Sequence, residues 1–414
     1  MRRPALLFAL ILLAFVLRAA AILATDRGAV EFGDAHDYLA AARTICTEND
    51  YPSRGNLPFF RAPGLPSFLA SVTGCQPERL LRAKLAIALA DSLLPLLLFV
   101  LGVVLTGNPL VGFLAAIAAA LHPGLIYQTT DIRSEPLFTV LLTAALAAFA
   151  AARRNGRLSL LAIAGATAAM AALVRPVGLV AIVLLAGACL LAPASARRRF
   201  AGAGLLIAGA AAALAPWSAF MAKKHGELIL VNDAGGYNLW RGSHPALYRA
   251  LTADDLAGYR AASAEFELSL SPREAAAVEA AARSPMARSR EWRRRAIALI
   301  RADPALSARY ALWKAVDFWQ PGLNRFEYPR AVVWGSAIFN VALFALAATG
   351  LSLLWRSRRD AAWLLAAWIV TFWLAHVPFQ VVSRFRTASL EPVLLLLAAI
   401  AVDAGVRSRS ERAG

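Results

Sequence analysis

Gly33-Asp34-Ala35-His36-Asp37-Tyr38 puts two carboxylates and an imidazole into one hexapeptide, directly after the first long apolar run of the chain. A carboxylate held beside cations can take a proton from an attacking hydroxyl or amine. The cations here are arginines: Arg61, Arg133, Arg175, Arg384 and Arg386 all lie at or near the edges of apolar segments. Asp131, Glu135, His36, His122 and His376 lie in similar places. The planar guanidinium fork matches the oxygens of a phosphate in pairs. Segments otherwise built of Ala, Leu and Val have no structural need for such groups, and charge at membrane depth is costly. The set fits an anion presented from a bilayer, a lipid phosphate, with Asp34 as the first candidate base and Asp37 as the second. Each arginine taken singly also reads as an interface anchor, and each lone histidine as a satisfied hydrogen-bonding group.

The elements that must position these residues are apolar. The chain has 414 residues, 59% of them hydrophobic, and a formal net charge of +17. Apolar runs reach the ~20 residues that span a bilayer and recur along the chain, whereas the ~10-residue alternating strands of a barrel are missing from the pattern. The expected class is an all-α polytopic membrane protein. Candidate spans cover 4–25, 80–106, 109–124, 134–152, 158–174, 177–192, 200–220, 331–355, 361–379 and 388–406. The first run continues through Ile22 and Leu23, so it reads as an uncleaved span rather than a signal peptide, although Ala19-Ala20-Ala21 offers small residues for cleavage. Arg18 near its end is expected to snorkel to water. With about ten spans, Arg2/Arg3, Arg153/Arg154/Arg157, Arg197–Arg199, Arg356/Arg358/Arg359 and Arg407/Arg409/Arg412 all fall on one side, the cytoplasm by the positive-inside rule. Both termini are then cytoplasmic. The basic excess is topological, and no motif for reading nucleic acid is present.

Three regions follow. Residues 1–220 form an N-terminal transmembrane module with a first exported loop at 26–79, residues 221–330 a small α-rich exported cap, and residues 331–414 the C-terminal transmembrane helices. In the first loop, 35–44 reads as a helix, and 57–72 as a Pro/Gly-punctuated helix lying along the membrane surface. In the cap, 227–231 reads as a short strand, Gly235-Gly236 and Gly242 as turns, and 254–266, 272–282 and 286–302 as helices. Arg293, Arg294 and Arg295 fit a solvated helix face first and the binding of an anionic headgroup second. Asp131 or Ser134 is expected to cap the helix opened by Glu135-Pro136. Arg175-Pro176 fixes a bend that aims an arginine, and Asp91 is expected to pair with Lys84 or Arg82. Cys46 and Cys75 could pair in an oxidising compartment, closing a loop of roughly 30 residues for about 3–4 kcal/mol. Cys189 reads as a packing residue. No spacing suggests a metal site.

Taken in order, these motifs resemble bacterial GT-C glycosyltransferases of the protein-O-mannosyltransferase and lipid A aminoarabinose transferase type. Asp34 with Tyr38 resembles the first-loop pattern of acid, spacer and tyrosine, although the family's second acid is Ala35 here. Phe60-Arg61-Ala62-Pro63-Gly64-Leu65-Pro66 is similar to the basic, Pro-rich element that meets the lipid phosphate, with Phe60 where an acid often stands. Ser134-Glu135-Pro136-Leu137-Phe138, Arg175-Pro176, Gly235-Gly236-Tyr237-Asn238-Leu239-Trp240-Arg241-Gly242-Ser243 and Ser383-Arg384-Phe385-Arg386 with Glu391-Pro392 complete the series. The resemblance implies an inverting transferase in the bacterial inner membrane, with its active site on the periplasmic side. The donor would be a polyprenyl-phosphate-linked sugar reached among membrane lipids, and the acceptor a glycan, lipid or protein. Asp34 would be the base; Arg61, Arg175, Arg384 and Arg386 would hold the phosphate; Tyr38, Asp131, Arg133, Glu135, Asn238 and Arg241 would support substrate. No cofactor or metal is implied. A lipid-linked sugar transporter or flippase would also use intramembrane arginines, and a non-catalytic envelope scaffold would have no need of them.

Overall fold

The computed structural model describes residues 2–30, 33–55, 59–253, 255–269, 277–278, 280, 282–326 and 328–413, and all regular structure among them is helical. The chain opens with α1 (Arg2–Thr25), then α2 (Gly33–Glu48) and α3 (Gly64–Thr73). Next come α4 (Leu80–Asp91), α5 (Leu94–Thr106), α6 (Pro109–Leu121), α7 (Pro123–Gln128), α8 (Glu135–Asn155) and α9 (Ser159–Val174). A 3-10 turn at Pro176–Gly178 leads into α10 (Leu179–Leu190), and α11 (Ala196–His225) follows. After it run α12 (Gly235–Gly242), α13 (Pro245–Leu251), α14 (Leu256–Ser269), α15 (Pro285–Ala302) and α16 (Pro304–Asp317). The chain closes with α17 (Arg330–Ser357), α18 (Arg359–His376), α19 (Ser383–Ser389) and α20 (Glu391–Ala413).

Local chemistry sets the breaks. Asn108 accepts the Leu110 N–H and Pro109 occupies the first turn of α6. The His122 ring accepts the Leu125 N–H to start α7, and Ser195, Ser284 and Asp303 cap α11, α15 and α16 in the same way. Arg175, extended ahead of Pro176, ends α9.

Among the described residues five helical stretches are long and apolar enough to cross a bilayer: Pro4–Thr25, Leu80–Thr106 (α4 and α5 together), Glu135–Asn155, Ala196–His225 and Arg330–Ser357. The α19–α20 pair, bent by 65°, makes a sixth if it counts as one span. The other expected spans fall on the shorter helices α6, α9 and Pro176–Leu190 and on α18. Small residues let these helices approach closely, as in membrane bundles. A Cβ on Gly165 would lie 1.9 Å from the Leu206 carbonyl oxygen and one on Gly209 2.0 Å from that of Ala162, so α9 and α11 pack backbone to backbone.

At one end of the bundle the arginines expected to anchor topology gather. Arg154 donates to the Val103 and Val104 carbonyls, Arg198 to that of Gly156, and Asp403 takes both Asn108 and Arg407. The ends of α5, α6, α8, α11 and α20 therefore share one face. The opposite ends of α8 and α9 carry Glu135 and Arg175.

Several local expectations are corrected. Arg18 does not snorkel: it is fully buried, its Nε lies 2.6 Å from Asp91 Oδ2, and it also donates to the Ala14 and Ala120 carbonyls. Asp91 therefore does not take Lys84, which binds Asp26 at 2.9 Å instead. A buried carboxylate needs a partner at its own depth, and α1 supplies it. Residues 227–231 are irregular rather than a strand; the Trp217 indole N–H binds the Val231 carbonyl. Gly235, Gly236 and Gly242 lie within α12 rather than in turns; a Cβ on Gly236 would meet the Ser289 oxygen of α15 at 1.8 Å, and one on Gly242 would lie 2.7 Å from the Pro378 oxygen. Neither Asp131 nor Ser134 caps α8. The expected helix at 254–266 is α14, which starts at Leu256; Asp254 and most of 272–282 lie outside the described residues.

Between α11 and α17, Tyr237, Trp240, Phe266 and Trp292 form an aromatic core that also takes Phe59 from the first loop. A disulfide joins Cys46, on α2, to Cys75, just past α3, with the Cα atoms 5.5 Å apart. Cys189 is a buried free thiol.

Candidate active site

Helix α2 presents Asp34 in its first turn, where the positive end of the helix dipole favours a carboxylate, and Asp37 three residues on, on the same face. Arg61 spans both acids. Its Nη2 lies 2.6 Å from Asp34 Oδ1 and 2.9 Å from Asp37 Oδ2, and its Nε donates to Asp37 Oδ2 at 3.0 Å. Asp37 is buried under Gly55, where a Cβ would fall 2.7 Å from its carboxyl carbon, while Asp34 keeps 28% of its side chain exposed. Burial works against the Arg61 charge, but Tyr38, Asp34 and Asp37 outweigh it and hold the guanidinium more firmly protonated than usual.

Three further elements close on this pair. Glu135, at the start of α8, is buried and takes Arg175 at 2.8 Å from the end of α9. Arg384, on α19, reaches Glu135 at 3.4 Å and Asp34 Oδ2 at 3.8 Å, the latter beyond hydrogen-bond length. Phe385 forms a platform for both arginines, with Arg175 4.8 Å and Arg384 5.4 Å from its ring centre. The Ser134 hydroxyl accepts from Arg175 at 2.9 Å and from the Tyr38 phenol at 3.3 Å, joining α2 to α9. Burial pushes the Tyr38 phenol above its usual range, so it stays a donor. The result is a rim of alternating carboxylates and guanidiniums, with Asp34 and Arg384 its most open members.

Not every expected residue joins the rim. Arg386 is buried and committed elsewhere: it donates to the Phe318 and Gln320 carbonyls at 3.2 and 2.8 Å and sits 3.3 Å from Glu391. Two residues apart on α19, Arg384 and Arg386 point to opposite sides of the helix. Arg133 stacks on Tyr127 (5.1 Å), its charge still acting on Glu135, and the Asp131 carboxylate binds the Ile132 N–H. Asn238 and Arg241 lie on α12, Arg241 over Phe266 at 5.4 Å. That helix meets the rim through Tyr237, packed on Phe59 (5.4 Å), itself under Arg61 (5.1 Å). Sequence reasoning missed Ser134 as a junction, Phe385 as a platform, and Tyr51, whose hydroxyl binds the Arg61 carbonyl at 3.0 Å. An aromatic residue between two arginines in Ser383-Arg384-Phe385-Arg386 was the available signal for the second; nothing local marks the others.

No protein-family model and no curated protein matches this chain. Solved structures do. The oligosaccharyltransferase AglB of Archaeoglobus fulgidus, solved with an inhibitory peptide and a dolichol-phosphate, aligns with a TM-score of 0.59 at 14% identity, over 99% of this chain and 52% of that one. The Archaeoglobus fulgidus oligosaccharyltransferase solved with zinc and sulfate gives 0.58 at 12% identity, over 97% and 50%. The same enzyme tethered to an acceptor peptide containing the NVT sequon gives 0.56 at 13% identity, over 97% and 50%. The chain therefore shares its fold with these oligosaccharyltransferases. The chain spans about half the length of these neighbours.

A divalent metal, as in the zinc-bound neighbour, does not fit the donor set as arranged. Among the described residues no three His, Cys, Asp or Glu side chains converge, and Asp34, Asp37 and Glu135 each face a guanidinium.

Proposed function

We propose that this chain is an integral-membrane inverting glycosyltransferase that moves a hexosyl or pentosyl group from a polyprenyl-phosphate donor to an acceptor in the cell envelope. The observation that carries the reading is the partly open Asp34 carboxylate, gripped by Arg61 and faced by Arg384, at a junction of four elements distant in sequence. A carboxylate base beside guanidinium groups is what this transfer needs. The acceptor oxygen or nitrogen forms a bond to the anomeric carbon as the bond from that carbon to the phosphate oxygen breaks. The acceptor's proton passes to Asp34, and the lipid phosphate leaves with the bonding electrons. Arg61, Arg175 and Arg384 stabilise its growing charge; Arg386, buried against Glu391, is left out. Asp37 and Glu135 hold those arginines in place.

We place the rim on the periplasmic face of a bacterial inner membrane. The convergence of the basic helix ends at the opposite pole supports that orientation. It also supports ten crossings, with α6, α9, α10 and α18 as the shorter ones, and a periplasmic cap at 221–330. The order of motifs favours the protein-O-mannosyltransferase or aminoarabinose transferase type.

Purified protein in liposomes, given radiolabelled polyprenyl-phosphate hexoses and pentoses with envelope acceptors, should transfer label covalently. Asp34→Asn should lose roughly 10²–10⁴-fold in rate. A folded Asp34→Asn protein with the wild-type rate would refute the assignment, and label that crosses the bilayer without a new covalent bond would favour transport.

A further inference from the structure

Arg61 lies in the connection between α2 and α3, whose described residues, 49–55 and 59–63, have no regular structure, so something else must hold them. Asp233, in the connection between α11 and α12, does so from across the molecule. Its Oδ1 accepts the backbone N–H of Phe60, the residue before Arg61, at 3.1 Å. Its Oδ2 takes two donors from Arg288 on α15, Nε at 3.0 Å and Nη2 at 2.7 Å. The same Nη2 donates to the Ser53 carbonyl at 2.7 Å. Ser53 stands two residues before Gly55, which lies against the Asp37 carboxyl and donates its N–H to the Phe59 carbonyl. The pair is almost completely shielded, with side-chain exposures of 7% for Arg288 and 0% for Asp233. One buried ion pair thus touches the Arg61 loop on both of its arms.

We infer that Asp233 and Arg288 are positioning residues for Arg61, through which the α12–α16 segment fixes the geometry of the rim. The inference rests on the proposed phosphate-binding role of Arg61, but its structural half does not. A surface ion pair would contribute little order; a dry, bidentate one in a fixed geometry restricts both partners. Because the carboxylate binds a main-chain N–H rather than a side chain, it sets the backbone from which Arg61 reaches Asp34 and Asp37.

The test uses the full chain in nanodiscs. Asp233→Asn keeps the acceptor for the Phe60 N–H and removes the charge facing Arg288. Hydrogen exchange at 51–62 should speed up at least tenfold while α8 and α9 stay as protected as in the wild type. Affinity for undecaprenyl phosphate should fall about tenfold. Asp233→Asn combined with Arg288→Gln removes both charges; its thermal midpoint should recover towards wild type while exchange at 51–62 stays fast. Unchanged exchange at 51–62 in Asp233→Asn would overturn the inference, as would an equal rise across the chain. Wild-type protein that ignores undecaprenyl phosphate would instead overturn the proposed function, with the exchange result still deciding the clamp.

Discussion

Arginine–carboxylate pairs occur in this molecule in two settings. In the bundle interior, Arg18–Asp91 and Arg386–Glu391 have side-chain exposures of 2% or less, and backbone carbonyls take further donors of both arginines. At the rim, Asp34 and Arg384 are each 28% exposed, and the contact between them is 3.8 Å long. The same chemical groups are spent on structure in one place and held open in the other. What separates the two is access and slack, neither of which is a property of residue type.

Variants can sharpen or break that contrast. The largest effect belongs to Asp34→Asn, whose loss of transfer should come without a change in thermal midpoint, since its loss leaves no buried charge alone. Breaking an interior pair should do the reverse. Arg18→Met leaves Asp91 buried and unpaired and should destabilise by about 3–5 kcal/mol, while Arg18→Met with Asp91→Leu should regain most of it. Chemical denaturation in detergent reads both. Arg384→Gln against Arg386→Gln is the closest comparison within one helix. The first should weaken undecaprenyl phosphate binding by about tenfold, the scale of one lost charge-assisted hydrogen bond; the second should lower stability and leave the affinity of the folded fraction intact.

Much of this was legible in the sequence. Long apolar runs, basic clusters on alternate connections and Pro-flanked acids and arginines gave a helical membrane chain and brought Asp34, Arg61, Glu135, Arg175 and Arg384 into one expected site. The failures have physical causes. Arg18 read as a snorkelling residue because depth and rotation about a helix axis depend on neighbours, here α4 and α6, that no local window contains. Arg386 was grouped with Arg384 because adjacency along the chain hides the turn of α19. Gly236 looked like a turn because a close helix crossing also selects glycine. The Asp233–Arg288 pair was invisible, since its meaning lies in contacts with Ser53 and Phe60 far upstream.

Smaller effects bound the comparison. Replacing Cys46 and Cys75 with Ser should cost about 3–4 kcal/mol and loosen α2, seen as faster exchange in 33–48. Smallest is the partly exposed cluster of Glu291, Arg294 and Arg295 on α15. Hydrogen bonding from Arg294, opposed by burial, and then hydrogen bonding from Arg295 hold Glu291 down at about 2, below its usual 4.5. A lowered carboxyl pKa stabilises fully above about 4.5 and loses that contribution as pH falls towards 2. Glu291→Gln should therefore flatten the acid limb of a thermal-midpoint profile only slightly, and still less in high salt.

The most direct test of a single rim is sidedness. Cysteines placed singly at positions 34, 384 and 154 should report it through membrane-impermeant maleimide on intact cells. Positions 34 and 384 should label from outside, and position 154 only after permeabilisation. Labelling that puts 34 and 384 on opposite sides of the membrane would contradict the site described here.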